Sequence, residues 1–83
     1  MIWTDRVHLV SDKLGRAGKD ELREFADSIG LNRCWYRRGH YDLRPHMLRL
    51  ALAAGARSTT KRECARYRRR TMTGVEWHLQ RIL

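Results

Sequence analysis

The side chains best suited to chemistry lie in one short segment, residues 33–41, which reads RCWYRRGHY. Aromatic rings stack on bases, and arginine guanidinium groups bind phosphate oxygens, so this composition suits a nucleotide or nucleic acid. The alternative is that Trp35 and Tyr41 form hydrophobic core, which we expect for Trp35. Tyr36 is the better stacking residue, because it points away from Trp35 if the segment is extended.

Positive charge is concentrated in the middle of the chain. The whole chain has a net charge of +9, whereas residues 33–70 hold twelve Arg and Lys residues against Asp42 and Glu63, a net charge of +10. Such a run can be a solvated surface, but its self-repulsion favours a bound anion. The residues predicted to bind phosphate are Tyr36, Arg37, Arg38, His40, Arg44, Lys61, Arg62, Arg66, Arg69 and Arg70.

Length and composition exclude several classes of protein. With 83 residues there is room for one hydrophobic core, so we expect a single domain over residues 1–83. No apolar run approaches the roughly 20 residues that span a bilayer, and the first residues do not resemble a signal peptide. Cys34 and Cys64 fit neither a disulfide scaffold nor a zinc ribbon. These features predict a cytoplasmic protein with no membrane partner.

Familiar catalytic motifs are also missing from the sequence. It contains no Walker loop, GxGxxG, HExxH or nucleophile elbow. The sequence therefore favours a protein that is not an enzyme and predicts no cofactor.

The first half of the chain predicts a short strand, a loop and a helix. Residues 6–10 alternate like a strand, and the glycines of residues 13–19 predict a loop. Residues 19–29 predict an amphipathic helix that ends before Gly30. Its apolar face consists of Leu22, Phe25, Ala26 and Ile29.

Next, the segments 33–36 and 40–43 predict two extended strands, and a hairpin around Arg37 to Gly39 would join them. Pro45 favours a helix over 45–54, and residues 56–59 predict a short strand. The buried stripe of that helix is predicted to be Leu48, Ala51 and Leu52.

The last part of the chain predicts two helices. Thr60 and Glu63 have capping-box spacing and should begin a basic helix that runs to about Arg70. A final helix over 74–83 has an apolar stripe that could join subunits in a homo-oligomer. That stripe consists of Val75, Leu79, Ile82 and Leu83. Together the elements predict a small α+β domain with three to four helices and a minor sheet of short strands.

Four segments of the chain resemble a known family. They are HLVSD at 8–12, ELREFADSIGL at 21–31, RCWYRRGHYDL at 33–43 and LALAAGA at 50–56. Over roughly residues 7–70 the chain resembles the family named domain of unknown function 4031. The resemblance implies a short phage protein, or a domain that actinobacteria join to a phosphohydrolase of the His-Asp class. It implies a site rather than a reaction.

The resemblance singles out four polar residues, His8, Asp12, His40 and Asp42. In a strand His40 and Asp42 share one side, and a carboxylate beside a histidine orients the ring and raises its pKa. The four residues could form a buried polar network, bind a ligand or act in catalysis. Two histidines and two carboxylates could also ligate a metal ion, but their spacing matches no strong motif, so no metal site is predicted.

Three functions remain open at this point. The favoured one is a small, basic, non-enzymatic protein that binds nucleic acid or a nucleotide, as a phage accessory factor. The second is an enzyme on nucleotides or phosphodiesters, with His40 as general base and Asp42 orienting it. The third is a factor that binds an acidic protein of the host.

Overall fold

The computed structural model describes residues 1–72, which form three α-helices and a five-stranded mixed sheet. The strands are β1 (Ile2–Thr4), β2 (His8–Ser11), β3 (Tyr36–Arg37), β4 (His40–Asp42) and β5 (Arg57–Ser58). The helices are α1 (Gly15–Ser28), α2 (Pro45–Ala53) and α3 (Lys61–Thr71). The predicted α+β class, with helices and a minor sheet of short strands, is confirmed.

The sheet has the strand order β3-β4-β2-β1-β5, with only the β1–β5 pair parallel. Its two faces carry different side chains, because residues alternate along each strand. Leu9 and Tyr41 face the main core, where they are fully buried with Leu22 of α1 and Ala51 of α2. The opposite face lies against α3, where Tyr67 stacks on Trp3 with ring centroids 5.8 Å apart.

The predicted loop over 13–19 is wrong, because α1 already begins at Gly15. Gly18 is a packing residue inside this helix. A Cβ atom at Gly18 would lie 2.3 Å from the Lys13 carbonyl oxygen and 2.8 Å from the hydroxyl of Thr71, so only glycine fits between the Lys13 backbone and the end of α3. The Thr71 hydroxyl donates to the carbonyl oxygens of Ser11 and Lys13, which fixes α3 to the end of β2.

Two predicted strands are shorter than expected. The strand over 6–10 lies instead at His8–Ser11, because Arg6 adopts a positive φ of 82° in the turn that precedes it. Of the extended segment 33–36, Arg33–Trp35 forms a 3-10 turn, whose start is capped by the side chain of Asn32. The hairpin itself is confirmed, since β3 and β4 pair in antiparallel fashion.

The remaining helices begin where the sequence predicts them. Pro45 begins α2, and the Thr60 hydroxyl accepts a hydrogen bond from the Glu63 amide at the start of α3. The buried stripe of α2 differs from the prediction, because Met47 is buried and Leu52 is exposed. The predicted helix over 74–83, with the stripe proposed for oligomerisation, lies outside the described residues. Within residues 1–72, no helix is long and apolar enough to cross a membrane.

Candidate functional site

The pairing of β2 with β4 brings three polar side chains together on one face of the sheet. His8 lies opposite Asp42 in this antiparallel pair, and His40 precedes Asp42 by two residues. Directly opposed residues and residues two apart on one strand share a face, so all three side chains point the same way. The rings of His8 and His40 meet edge to face, with centroids 4.9 Å apart.

Between this face and α3 lies a cleft of about 230 Å³, which we call the histidine cleft. The sheet contributes histidines to it and α3 contributes basic and small residues. Its lining consists of Asp5, His8, Val10, His40, Lys61, Cys64, Ala65 and Arg68.

A second cavity, of about 480 Å³, lies beside the β3–β4 turn, and we call it the arginine groove. Its lining consists of Arg37, Arg38, His40, Asp42 and Arg68. Because His40 and Arg68 line both cavities, the histidine cleft and the arginine groove adjoin each other.

The ring of His8 is held in place by the buried carboxylate of Asp5. Its Nδ1 lies 3.0 Å from Asp5 Oδ2, and the Asp5 side chain is only 2% exposed. Burial alone would raise the pKa of Asp5, but hydrogen bonds from the His8 ring and from the Val7 and His8 amides outweigh it and lower that pKa. An ionised Asp5 accepts a hydrogen bond from the N–H of His8 Nδ1, so the other ring nitrogen, Nε2, is directed away from Asp5.

His40 lies 3.3 Å from Asp42, measured from Nε2 to Oδ1, as expected for neighbours on one side of a strand. The prediction that its pKa is raised is wrong. Burial lowers the pKa of His40 most, and the electrostatic effects of His8 and Arg68 lower it further, which together outweigh the opposite effect of Asp42. His40 is therefore neutral at neutral pH and can either accept or donate a hydrogen bond.

Two buried polar atoms beside these cavities have no hydrogen-bond partner among residues 1–72. They are Nδ1 of His40 and Nε of Arg68. Buried polar atoms are almost always paired in folded proteins, so an unpaired one calls for an explanation. Both residues line the histidine cleft and the arginine groove, where a bound ligand would supply a partner once either side chain turns toward the cavity.

Cys64 lines the histidine cleft but does not offer a thiolate. Burial, followed by the charge of Asp5, raises the pKa of this thiol to about 12. The nucleophilic form of cysteine is the thiolate, so Cys64 is unreactive at neutral pH.

The residues predicted to bind phosphate separate into two sets. Arg37, Arg38 and His40 line the arginine groove, and Lys61 lines the histidine cleft. The others lie outside both cavities. Those on the exposed surface of α3 are Arg62, Arg66, Arg69 and Arg70. One of them, Arg66, is partly neutralised by an ion pair of 2.9 Å with Glu63.

Arg44 and Tyr36 line neither cavity, and both contact aromatic residues of the domain. The guanidinium group of Arg44 lies 4.8 Å above the ring of Trp35, which is partly buried against the core as expected. The ring of Tyr36 packs edge to face on Tyr41, and its hydroxyl accepts a hydrogen bond from the Gly39 amide. Tyr36 therefore shapes the β3–β4 turn, and its role in base stacking stays a prediction.

Asp12 does not join the histidines, although the sequence groups it with them. Its carboxylate accepts hydrogen bonds from Trp3 Nε1 and from the amino terminus of Met1, each at 3.0 Å. In its place, the structure brings Asp5 to His8.

The sequence analysis misses two residues of the site, Asp5 and Arg68. Asp5 stands three residues before His8, and a tight turn with Arg6 at positive φ returns its carboxylate to the ring. Arg68 shares the face of α3 that holds Lys61 and Cys64, at spacings of seven and four residues. That spacing is the signal that could have placed Arg68 at the sheet instead of in solvent.

Comparison with known proteins identifies the family of this chain. No curated protein and no solved structure matches it significantly. The family described as a protein of unknown function (DUF4031) matches residues 1–71, which covers the whole sheet, all three helices and both cavities. The match also includes β1, which the resemblance over residues 7–70 leaves out. The chain belongs to the DUF4031 family.

Proposed function

We propose that this protein binds a phosphate-bearing ligand, a nucleotide or a nucleic acid, in the arginine groove. The observation that carries the proposal is the lining of that groove. Three guanidinium groups, from Arg37, Arg38 and Arg68, surround one cavity with the neutral imidazole of His40, and among residues 1–72 Asp42 is the one carboxylate in its lining.

The chemistry of these groups fits phosphate. A guanidinium group offers paired N–H donors that match two phosphate oxygens, and such charge-assisted bonds are about twice as strong as neutral ones. Nε of Arg68 is buried with no hydrogen-bond partner among residues 1–72, so it is a further donor for phosphate that has no bound water to lose. A phosphate group would also reduce the repulsion among the three arginines.

The role that this binding supports best is non-enzymatic. The protonated thiol of Cys64 removes the strongest nucleophile of the histidine cleft from chemistry at neutral pH. From the family resemblance alone we further propose an accessory factor of a phage, which would act in the cytoplasm of the host.

A second candidate function, hydrolysis of the bound phosphate ester, is favoured by one observation. Neutral His40 lies 3.3 Å from Asp42 and at the border of the groove, as a general base would. Under this alternative, His40→Ala would abolish turnover of a nucleotide or phosphodiester while ligand binding and folding persist. A parent protein that releases no product would exclude it.

Removing charge from the groove should weaken binding more than removing the same charge elsewhere. We expect the double variant Arg37→Gln/Arg38→Gln to bind a nucleoside triphosphate or single-stranded DNA about fivefold to tenfold more weakly, because two charge-assisted contacts are lost. The charge-matched control is Arg16→Gln/Arg49→Gln, which changes exposed residues of α1 and α2. Fluorescence anisotropy of labelled ligands measures both. An equal loss in the two double variants would mean that net charge, and not the groove, governs binding.

The exposed arginines of α3 distinguish a nucleic acid from a small nucleotide. If a polynucleotide extends from the groove along α3, changing Arg66, Arg69 and Arg70 to alanine should flatten the plot of log K against log salt. The change should be roughly one unit of slope per lost phosphate contact. Titrations at several salt concentrations measure the slope. An unchanged slope with DNA and RNA would restrict the ligand to a small nucleotide within the groove.

A further inference from the structure

The side chains of His8, His40 and Asp42 form a cluster that could hold a metal ion. Each offers one ligand-type atom, and these atoms all lie within 4.8 Å of one another. The grouping follows from the strand pairing, since His8 lies opposite Asp42 and His40 is two residues away on β4. Two regular strands therefore place the three groups, and no flexible loop is involved.

The distance between His40 and Asp42 suits a shared ion. Zinc bonds to imidazole nitrogen and carboxylate oxygen are about 2.0–2.2 Å long, so neighbouring ligand atoms in a tetrahedron lie about 3.3–3.5 Å apart. Nε2 of His40 and Oδ1 of Asp42 are 3.3 Å apart. The rings of His8 and His40 meet edge to face, and one ligand-type nitrogen of each lies within 4.8 Å of the other.

Asp5 provides the support that metal-binding histidines usually have. A histidine that ligates a metal generally donates its other ring N–H to a carboxylate, which fixes the tautomer and the ring orientation. Asp5 accepts a hydrogen bond from Nδ1 of His8 at 3.0 Å. The Val7 and His8 amides also donate hydrogen bonds to the Asp5 carboxylate, which fix its position. The nitrogen of His8 that remains for a metal is Nε2.

We propose that His8, His40 and Asp42 bind one divalent transition-metal ion of the zinc class at the junction of the two cavities. Two imidazoles and one carboxylate form a typical three-ligand set for such ions and leave at least one coordination position open. No metal site is predicted from the sequence, because the spacing of its histidines and carboxylates matches no strong motif. The pairing of β2 with β4 supplies the ligand set that linear spacing does not show.

The charges around the ion indicate what completes its coordination. Arg68 and Lys61 line the cleft, and their positive charges would repel a bare cation. The carboxylates of Asp5 and Asp42 balance these charges only in part. An anionic ligand oxygen in the open position would resolve this repulsion, and a phosphate oxygen from the arginine groove fits. This last step rests on the proposed function, whereas the three-ligand site rests on its own geometry.

The experiment uses the full chain without a polyhistidine tag, freed of metal with EDTA and transferred to metal-free buffer. Calorimetric titration with ZnCl₂, and visible absorption after adding CoCl₂, should show one ion per chain. We expect His8→Gln, His40→Gln and Asp42→Asn each to weaken zinc binding at least tenfold. Asp42 is the most exposed of the three ligands, so Asp42→Asn keeps the test valid if a histidine variant fails to fold.

Matched controls separate this site from general binding by surface histidines and carboxylates. His46→Gln changes an exposed histidine of α2, and Asp12→Asn changes a carboxylate outside the cluster, so both should bind zinc like the parent. Asp5→Asn should weaken zinc about 10–100-fold, as loss of a supporting carboxylate does. Failure of the parent to bind zinc or cobalt, or equal losses in His46→Gln and His8→Gln, would overturn the proposal.

Phosphate binding measured with EDTA present separates this proposal from the proposed function. A protein that binds the nucleotide but neither metal overturns the metal site alone. A protein that binds zinc through these three residues but no phosphate ligand overturns the proposed function alone.

Discussion

Gly39→Ala should destabilise the protein by roughly 2–4 kcal/mol, because strain and overpacking act together at this position. Gly39 has a φ of 87°, a conformation that residues with a Cβ rarely adopt. A Cβ atom there would also lie 2.8 Å from Met72 Cγ and 2.9 Å from the Arg68 carbonyl oxygen. The turn that carries Arg37 and Arg38 would then be forced away from α3. Chemical denaturation followed by circular dichroism measures the loss.

Gly30→Ala is the matched control for this variant. Gly30 has a similar φ of 81°, but a Cβ atom there would meet no atom within 4 Å. Its substitution therefore adds strain without overpacking, and we expect a loss of about 1 kcal/mol. Equal losses in the two variants would show that the β3–β4 turn does not pack on α3 as described.

Arg68→Gln should weaken binding of the phosphate ligand about 10–100-fold, the largest effect expected of any single change in the groove. Its Nε is buried without a partner among residues 1–72, so binding gains a charge-assisted hydrogen bond worth about 1.5–3 kcal/mol without first removing water from that atom. Exposed arginines lose water on binding and contribute less. Calorimetric or anisotropy titration with a nucleoside triphosphate measures the change.

The neighbouring Arg69→Gln serves as the control for Arg68→Gln. It removes the same charge from the same helix, but Arg69 is exposed and lies outside both cavities. We expect its affinity for the nucleotide to change less than threefold. Folding of the two variants should be equal by circular dichroism, since Arg68 makes no ion pair within residues 1–72 that its loss would break. Similar affinities for the two variants would remove Arg68 from the binding mechanism.

Local signals explain which parts of the fold the sequence predicts. The helix starts at Pro45 and Thr60 depend on residues within one turn, and both are confirmed. Gly18 misleads because its role is close packing, against the Lys13 carbonyl oxygen and against Thr71, which is more than fifty residues away. A glycine required for close packing and a glycine in a loop look alike in the sequence.

The same difference between local and long-range signals explains which residues of the candidate site are predicted from the sequence. His40 and Asp42 are predictable neighbours, because residues two apart on a strand share a side. The position of His8 depends on the register between β2 and β4, which no local pattern specifies. Asp12 is therefore grouped with the histidines in error, and Asp5 is overlooked. Arg68 is overlooked because a basic residue on a basic helix gives little sign that it faces the sheet.

The central claim, that the arginine groove binds phosphate, is tested most directly by the Nε–H signals of the arginines in ¹⁵N NMR spectra. The protein is titrated in turn with a nucleoside monophosphate, with the same nucleoside lacking phosphate, and with single-stranded DNA. We expect at least one of the two phosphate ligands to shift the Arg68 signal at concentrations that leave the Arg16 signal unchanged. The nucleoside should shift neither signal. Signals that move together for both arginines, or an Arg68 signal that moves with none of the ligands, would contradict the claim.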